Sequence, residues 1–164
     1  MECFRLVKPK YRPLDTAGSA LLGGRWNSVG RHVLYCGSTA ALVILESRVN
    51  SPIFDKHTRT LYTLRVPTAG VATLQQLAMT LPAGWDRSPA GIHSQQFGDV
   101  WLASGASLAV YVPSTLSKRD FNILVNPNHR DFRLVKVIAH EPYKFDPRLY
   151  SPPVSPATRR RKRK

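Results

Sequence analysis

The chain has 164 residues, with 24 Lys and Arg against 10 Asp and Glu for a net charge of +14, 43% hydrophobic residues and two cysteines. That hydrophobic fraction excludes a disordered chain, the length suits one domain burying roughly 70% of its unfolded surface, and Cys3 and Cys36 make neither a disulfide framework nor a CxxC pair. The longest aliphatic run, Leu42-Val43-Ile44-Leu45, is far short of the ~20 residues a membrane helix needs, and Met1-Glu2-Cys3 does not open a signal peptide, so a soluble protein of the reducing cytoplasm is expected.

In chain order, residues 1–7 predict a strand with Phe4 and Leu6 on one face and Cys3, Arg5 and Val7 on the other. Residues 8–31 carry two prolines and several glycines with little periodicity and read as a long loop. Residues 32–36 read as a buried strand, and Ser38 is placed to cap a helix running to about Val49. On that helix Leu42, Leu45 and Val49 form one stripe, with Glu46 within roughly 40–60° of it. A carboxylate held against a core needs partners or a task, because burying it bare costs several kcal/mol. Its plain alternative is a boundary glutamate that snorkels to water or pairs with an arginine.

Further along, 61–66 alternates as a strand, 74–79 is weakly helical, 97–102 suggests a helical turn, and 108–112, 121–125 and 132–139 read as strands. The irregular mixture, without repeats or regular strand-helix alternation, predicts an α+β domain with a largely antiparallel or mixed sheet. Residues 151–156 hold three prolines and 159–164 are all Arg or Lys, so the body is expected to span 1–150 and a flexible Pro-rich, basic tail 151–164. Six positive charges belong to that tail, leaving +8 on the rest. A basic run binds any polyanion by counterion release, which makes nucleic-acid binding the competing reading from composition.

The histidines show no metal-ligand spacing, and no HExxH, GxGxxG, GxxxxGK[ST] or GxSxG is present. What remains is a set of polar residues in unexpected places. Gly23-Gly24-Arg25-Trp26-Asn27 joins flexible glycines to a cation, an aromatic and an amide, which suits close backbone approach to an anionic or aromatic ligand. A surface turn with arginine stacked on tryptophan is the alternative. Tyr35 reads by default as a core aromatic, Val112-Pro113-Ser114 ends a strand with a hydroxyl, and Asn126-Pro127-Asn128-His129 is an ordinary turn.

Taken in order, Phe4-Arg5-Leu6, Gly23-Gly24-Arg25-Trp26-Asn27, Tyr35, Glu46, Gly98-Asp99-Val100-Trp101, Val112-Pro113-Ser114, Asn122, Asn126-Pro127-Asn128-His129 and Phe145-Asp146-Pro147-Arg148-Leu149 resemble the RES-domain toxins of bacterial toxin-antitoxin pairs. The likeness spans almost the whole body. Ala17-Gly18-Ser19-Ala20 departs from the G-x-G-A frequent in that family, and the basic tail lies outside its pattern.

The resemblance implies a diphtheria-toxin-like ADP-ribosyltransferase fold and an enzyme that consumes NAD by phosphorolysis or hydrolysis, with ADP-ribosylation of a protein as the alternative. It places Arg5, Arg25, Tyr35 and Glu46 in catalysis and Gly24, Trp26, Asn27, Ser114 and Asn126 with Arg5, Arg25 and Tyr35 around the dinucleotide, inorganic phosphate being a possible co-substrate and no metal being expected. It further implies a helix-turn-helix antitoxin of the Xre type. A homodimer within the complex is a compatible expectation that the residues do not decide, and DNA is expected to be reached only through the antitoxin or weakly through the basic tail. The chemistry suits those roles. Breaking the nicotinamide-ribose bond builds positive charge on the ribose, which a carboxylate stabilises, and arginines hold a pyrophosphate by charge-assisted hydrogen bonds.

Overall fold

The structure, a computed structural model, describes residues 1–51 and 58–150. Among the described residues, seven strands form one sheet: β1 (Glu2–Val7), β2 (Leu34–Gly37), β3 (Arg59–Arg65), β4 (Val71–Ala72), β5 (Ala109–Pro113), β6 (Phe121–Val125) and β7 (Lys136–Tyr143). The described residues also form the α-helices α1 (Ala17–Leu22), α2 (Ala40–Val49) and α3 (Ile92–Ser104). The strand order is β4-β5-β6-β2-β1-β3-β7, antiparallel throughout except for the parallel pair β4-β5. The fold is therefore α+β with a mixed sheet and few helices. No helix among the described residues is long and apolar enough to cross a membrane.

Strand alternation sorts side chains onto two faces. Leu34, Cys36, Ile123 and Val125 join Cys3 and Leu64 in one buried cluster, while Val33, Leu124, Val110 and Val112 join Trp26, Trp101 and Leu102 in the other. Tyr35 and Phe97 pack against the second cluster, so α3 covers that side of the sheet. Burying these apolar side chains stabilises the fold by about 25 cal/mol per Å² removed from water.

The central joint of the sheet positions the site. β1 and β3 pair along six successive residues, but the register between β1 and β2 consists of Phe4 opposite Gly37. Beyond that pair the two strands part, and the guanidinium of Arg5 spans the split: its Nη1 donates to the Tyr35 carbonyl at 3.2 Å. α2 follows β2 directly and packs on β1 and β2. Gly37 permits the contact, since a Cβ there would lie 2.7 Å from Val43 Cγ1.

Several local expectations change. The cap of α2 is Thr39, whose Oγ1 accepts from the Leu42 N–H at 3.1 Å, whereas Ser38 exchanges hydrogen bonds with the main chain of Phe121. The buried face of α2 carries Leu42 and Val43, with Leu45 41% and Val49 57% exposed, because the helix turns Leu42 and Val43 onto the inner strands β1 and β2 and the other flank of its apolar stripe faces away. The loop expected over 8–31 contains α1, residues 74–78 form turns rather than a helix, and the turn expected at 97–102 belongs to a helix of 13 residues. The strand expected over 132–139 begins at Lys136, after a 3₁₀ turn at Phe132–Leu134. His57 and the tail 151–164 lie outside the described residues.

Candidate active site

A cavity of about 930 Å³ opens where β1 and β2 part. That is within the range of small-molecule and cofactor sites. Its walls come from Arg5 and Leu6 of β1, the 23–26 loop, Tyr35 and Cys36 of β2, Val43, Glu46 and Val49 of α2, residues 86 and 88–90, Thr115 and Leu116, and Asn122 of β6.

Glu46 reaches the cavity from the face of α2 that carries Leu42 and Val43, four and three residues before it. Its Oε1 accepts from the Asn122 Nδ2 at 3.0 Å and from the Ser114 hydroxyl at 3.1 Å. Ser114 is 1% exposed, and its oxygen also accepts from the N–H groups of Leu116 and Ser117 at 3.1 and 3.4 Å. A hydroxyl has one proton and two lone pairs, so the turn takes both lone pairs and directs the proton to Glu46. Ser114 is not a wall of the cavity; it acts on the carboxylate.

Arg5 is a half-buried cation of the site. Its Nη2 donates to the Asp15 carbonyl at 2.7 Å and its Nη1 to Tyr35, while Nε is buried with no partner among the described residues. Burial pulls its pKa down from the ordinary value, opposed by Cys36, Asp15 and Cys3. An arginine stays charged under such pressure, so the guanidinium remains a cation held by two neutral carbonyls, with charge to offer an anion.

The 23–27 loop is braced from behind. The Tyr35 hydroxyl donates to Asn27 Oδ1 at 2.8 Å and accepts from the Trp26 N–H at 3.0 Å. Burial pushes the phenol above its ordinary pKa and keeps it protonated. Asn27, fully buried, spends its Nδ2 on the carbonyls of Ser19, Ser28 and Arg31. A Cβ on Gly24 would lie 2.6 Å from the Tyr35 hydroxyl oxygen, so the second glycine of the pair is what admits Tyr35. α3 closes the other side, with Gln95 donating to the Gly24 carbonyl at 3.1 Å and Asp99 accepting from the Ser28 N–H at 3.0 Å. A Cβ on Gly98 would fall on the Trp26 carbonyl, which accounts for glycine in the Gly98-Asp99-Val100-Trp101 motif.

Arg25 lines the cavity but gives its Nη1 to the carbonyls of Trp85 and Arg87, at 2.6 and 2.8 Å. Trp26, buried beside it, stacks on Trp85 with ring centroids 5.8 Å apart. These contacts fasten residues 85–90 across the cavity as one of its walls.

Of the residues singled out from sequence, Arg5, Gly24, Arg25, Trp26, Tyr35 and Glu46 line this one cavity. Asn27 and Ser114 stand behind it. Asn126 sits elsewhere: it is buried, donates to the Leu102 carbonyl at 2.9 Å, and borders a separate cavity of about 250 Å³ with Arg31 and His32. Its place after β6 turns it toward the end of α3 instead of toward α2. Sequence reasoning gave Asn122 no role, although a polar residue on the otherwise apolar strand β6, sharing a face with Leu124, was the available signal. The walls at 86–90 and 115–116 had no signal in the sequence.

Comparison with known proteins gives concordant matches. Residues 2–146 match the RES domain family. A protein of Sphingobium sp. (strain YBL2) named "Prs ADP-ribosylating toxin" is 36% identical over 139 residues, covering 83% of this chain and 86% of that protein. A "Toxin Res" of Yersinia enterocolitica is 32% identical over 155 residues, covering 91% of this chain and 99% of that one. Among solved structures, a chain in the crystal structure of the M. tuberculosis MbcT-MbcA toxin-antitoxin complex superposes with a TM-score of 0.73 over 91% of this chain and 86% of its own, at 17% identity. That likeness is one of fold.

Proposed function

The chain belongs to the RES-domain toxin family, and we propose that it acts as the toxin of a toxin-antitoxin pair by cleaving the nicotinamide-ribose bond of NAD in the cavity between β1 and α2. The observation that carries this reading is a carboxylate and a half-buried cation at one cavity: Glu46 with an oxygen to which no described residue donates, and Arg5 with a guanidinium held by two neutral carbonyls. NAD presents the matching charges, a pyrophosphate and a positively charged nicotinamide ribosyl centre.

When the glycosidic C–N bond breaks, its electron pair goes to the nicotinamide nitrogen, which becomes neutral, and positive charge moves to the ribose. The Glu46 carboxylate faces that charge and accepts hydrogen bonds from ribose hydroxyls, a preorganised electrostatic role. Arg5, with the remaining donors of Arg25, holds the pyrophosphate. The rings of Tyr35 and Trp26 provide an aromatic wall for the nicotinamide. An acceptor oxygen then bonds to the ribose carbon: water does so with loss of one proton to the solvent, yielding ADP-ribose, and inorganic phosphate does so through an ionised oxygen, yielding the phosphate ester of ADP-ribose.

A second reading uses the same site with a protein side chain as acceptor, and the name of the Sphingobium relative favours it. Incubation with NAD, with and without phosphate, is expected to release free nicotinamide, and Glu46→Gln is expected to slow release about 10²-fold or more. A folded protein that releases none, or a Glu46→Gln protein as fast as the unsubstituted one, rules the reading out. Labelled NAD in a lysate separates the acceptors: small-molecule products support the first reading and labelled protein the second. An NAD-consuming enzyme harms its host, so a neutralising antitoxin of the Xre type in the cytoplasm is part of the proposal, supported by the toxin-antitoxin complex among the structural neighbours.

A further inference from the structure

We infer that Asn122 is a positioning residue for Glu46: it saturates one carboxylate oxygen and so fixes which oxygen meets the substrate. This rests on the reading of Glu46 as the catalytic carboxylate.

Asn122 lies in β6, an inner strand, opposite Gly37 of β2 and Val112 of β5, so its backbone is held from both sides. Its side chain reaches the cavity wall, and its amide lies 3.0 Å from Glu46 Oε1. An ionised carboxylate only accepts, so the amide must turn its NH₂ toward Glu46. The second donor to the same oxygen, Ser114, has its proton committed there by the turn that occupies its lone pairs. Both donors converge on Oε1, and no described residue donates to Oε2. The carboxylate is thereby oriented before any ligand arrives.

Orientation matters because Glu46 sits near the C-terminal end of a ten-residue helix on a side chain with three rotatable bonds. Left free, it samples rotamers that turn the carboxylate from the ribose, and it must be ordered again for each reaction. Ser114 comes from the turn after β5 and Asn122 from β6, so two independent backbones fix one oxygen. Asn122 is the one of the two that borders the cavity, with its donor turned to Glu46. The structure thus assigns it an effect on turnover through the carboxylate and little effect on NAD binding.

The test is a pair of substitutions and a cycle, with nicotinamide release from NAD as the readout. Asn122→Ala and the nearly isosteric Asn122→Leu, which keeps the shape of the strand face, are expected to lower kcat about ten- to a hundredfold, the size of one hydrogen bond to a charged group, with KM changed less than about threefold. In a Glu46→Gln background, Asn122→Ala is expected to change the remaining rate less than about twofold, because its effect runs through the carboxylate that has been removed. A merely structural asparagine would cost the same in both backgrounds. Unchanged kcat in both single variants overturns the inference, as does a rise in KM at constant kcat, or full additivity in the cycle. If Glu46→Gln alone is as fast as the unsubstituted protein, the parent reading fails and takes this one with it; if Glu46→Gln is slow and the Asn122 variants are fast, this inference fails alone.

Discussion

Tyr35 shows how one side chain can serve two structural demands while facing a ligand cavity. Its hydroxyl accepts from the Trp26 N–H and donates to Asn27 Oδ1, so the ring is fixed while its apolar surface borders the site. Burial raises its pKa above the ordinary phenol value of about 10. The fold therefore holds the Tyr35 proton more tightly than the unfolded chain does. That contribution to stability is complete below pH ~10 and is lost as pH rises toward the raised folded value. Tyr143 is also raised, with burial the largest cause. In an alkaline absorbance titration, Tyr35 and Tyr143 are expected to ionise late in the unsubstituted protein, and the Tyr35 component is expected to disappear in Tyr35→Phe. The same variant leaves the buried Asn27 Oδ1 without its donor and is expected to lose about 1–3 kcal/mol of stability in denaturant titration. Synchronous titration of all phenols in the folded protein would contradict the placement.

At the scale of elements, the site is an agreement between α3 and the 23–27 loop, and Gly98 is where they meet. Its place on the helix face lets the Trp26 carbonyl approach where any Cβ would collide. Gly98→Ala is expected to cost at least about 2 kcal/mol, read as a lower denaturant midpoint at unchanged m-value, because backbone on both sides resists the shift. An unchanged midpoint would mean that helix and loop slide past each other freely. The same helix shows why parts of the fold were legible in the sequence and parts were not. Its packed apolar residues Phe97, Trp101 and Leu102 begin only at its sixth residue, and Ile92, His93 and Gln96 are exposed, so no helical period announces its first turns. Strands β5 and β6 were legible because their apolar runs are buried on both faces. Glu46 stood out as a carboxylate among apolar helix residues, but its pairing with Ser114 and Asn122 did not, because they lie 68 and 76 residues away. The role of Arg25 as an anion clamp is one the family resemblance implies, and its bonds to Trp85 and Arg87 span 60 and 62 residues and depend on the path of a loop with no period of its own, so the sequence carried no sign of them.

For the whole molecule, the charge of +14 divides between two kinds of attraction. Arg5 acts at contact range from a half-buried position, where salt screens less than at the open surface. The rest of the body, which keeps +8 once the six charges of 159–164 are set aside, acts at longer range and is screened beyond a Debye length of about 8 Å at physiological salt. If the cavity walls between Arg5 and Asn122 hold NAD, the terminal basic run contributes only to the long-range part. Removing residues 159–164 is then expected to leave nicotinamide release within about twofold at physiological salt. Raising the salt from about 0.05 to 0.5 M is expected to lower kcat/KM modestly and to a similar degree in the full-length and truncated chains, because the body supplies most of the attraction. The nucleic-acid reading predicts the reverse pattern for polyanion affinity, which falls steeply with salt and disappears with the truncation. Loss of NAD cleavage on removing 159–164 would move part of the active site into the tail and contradict a catalytic centre built from β1, β2, α2 and β6.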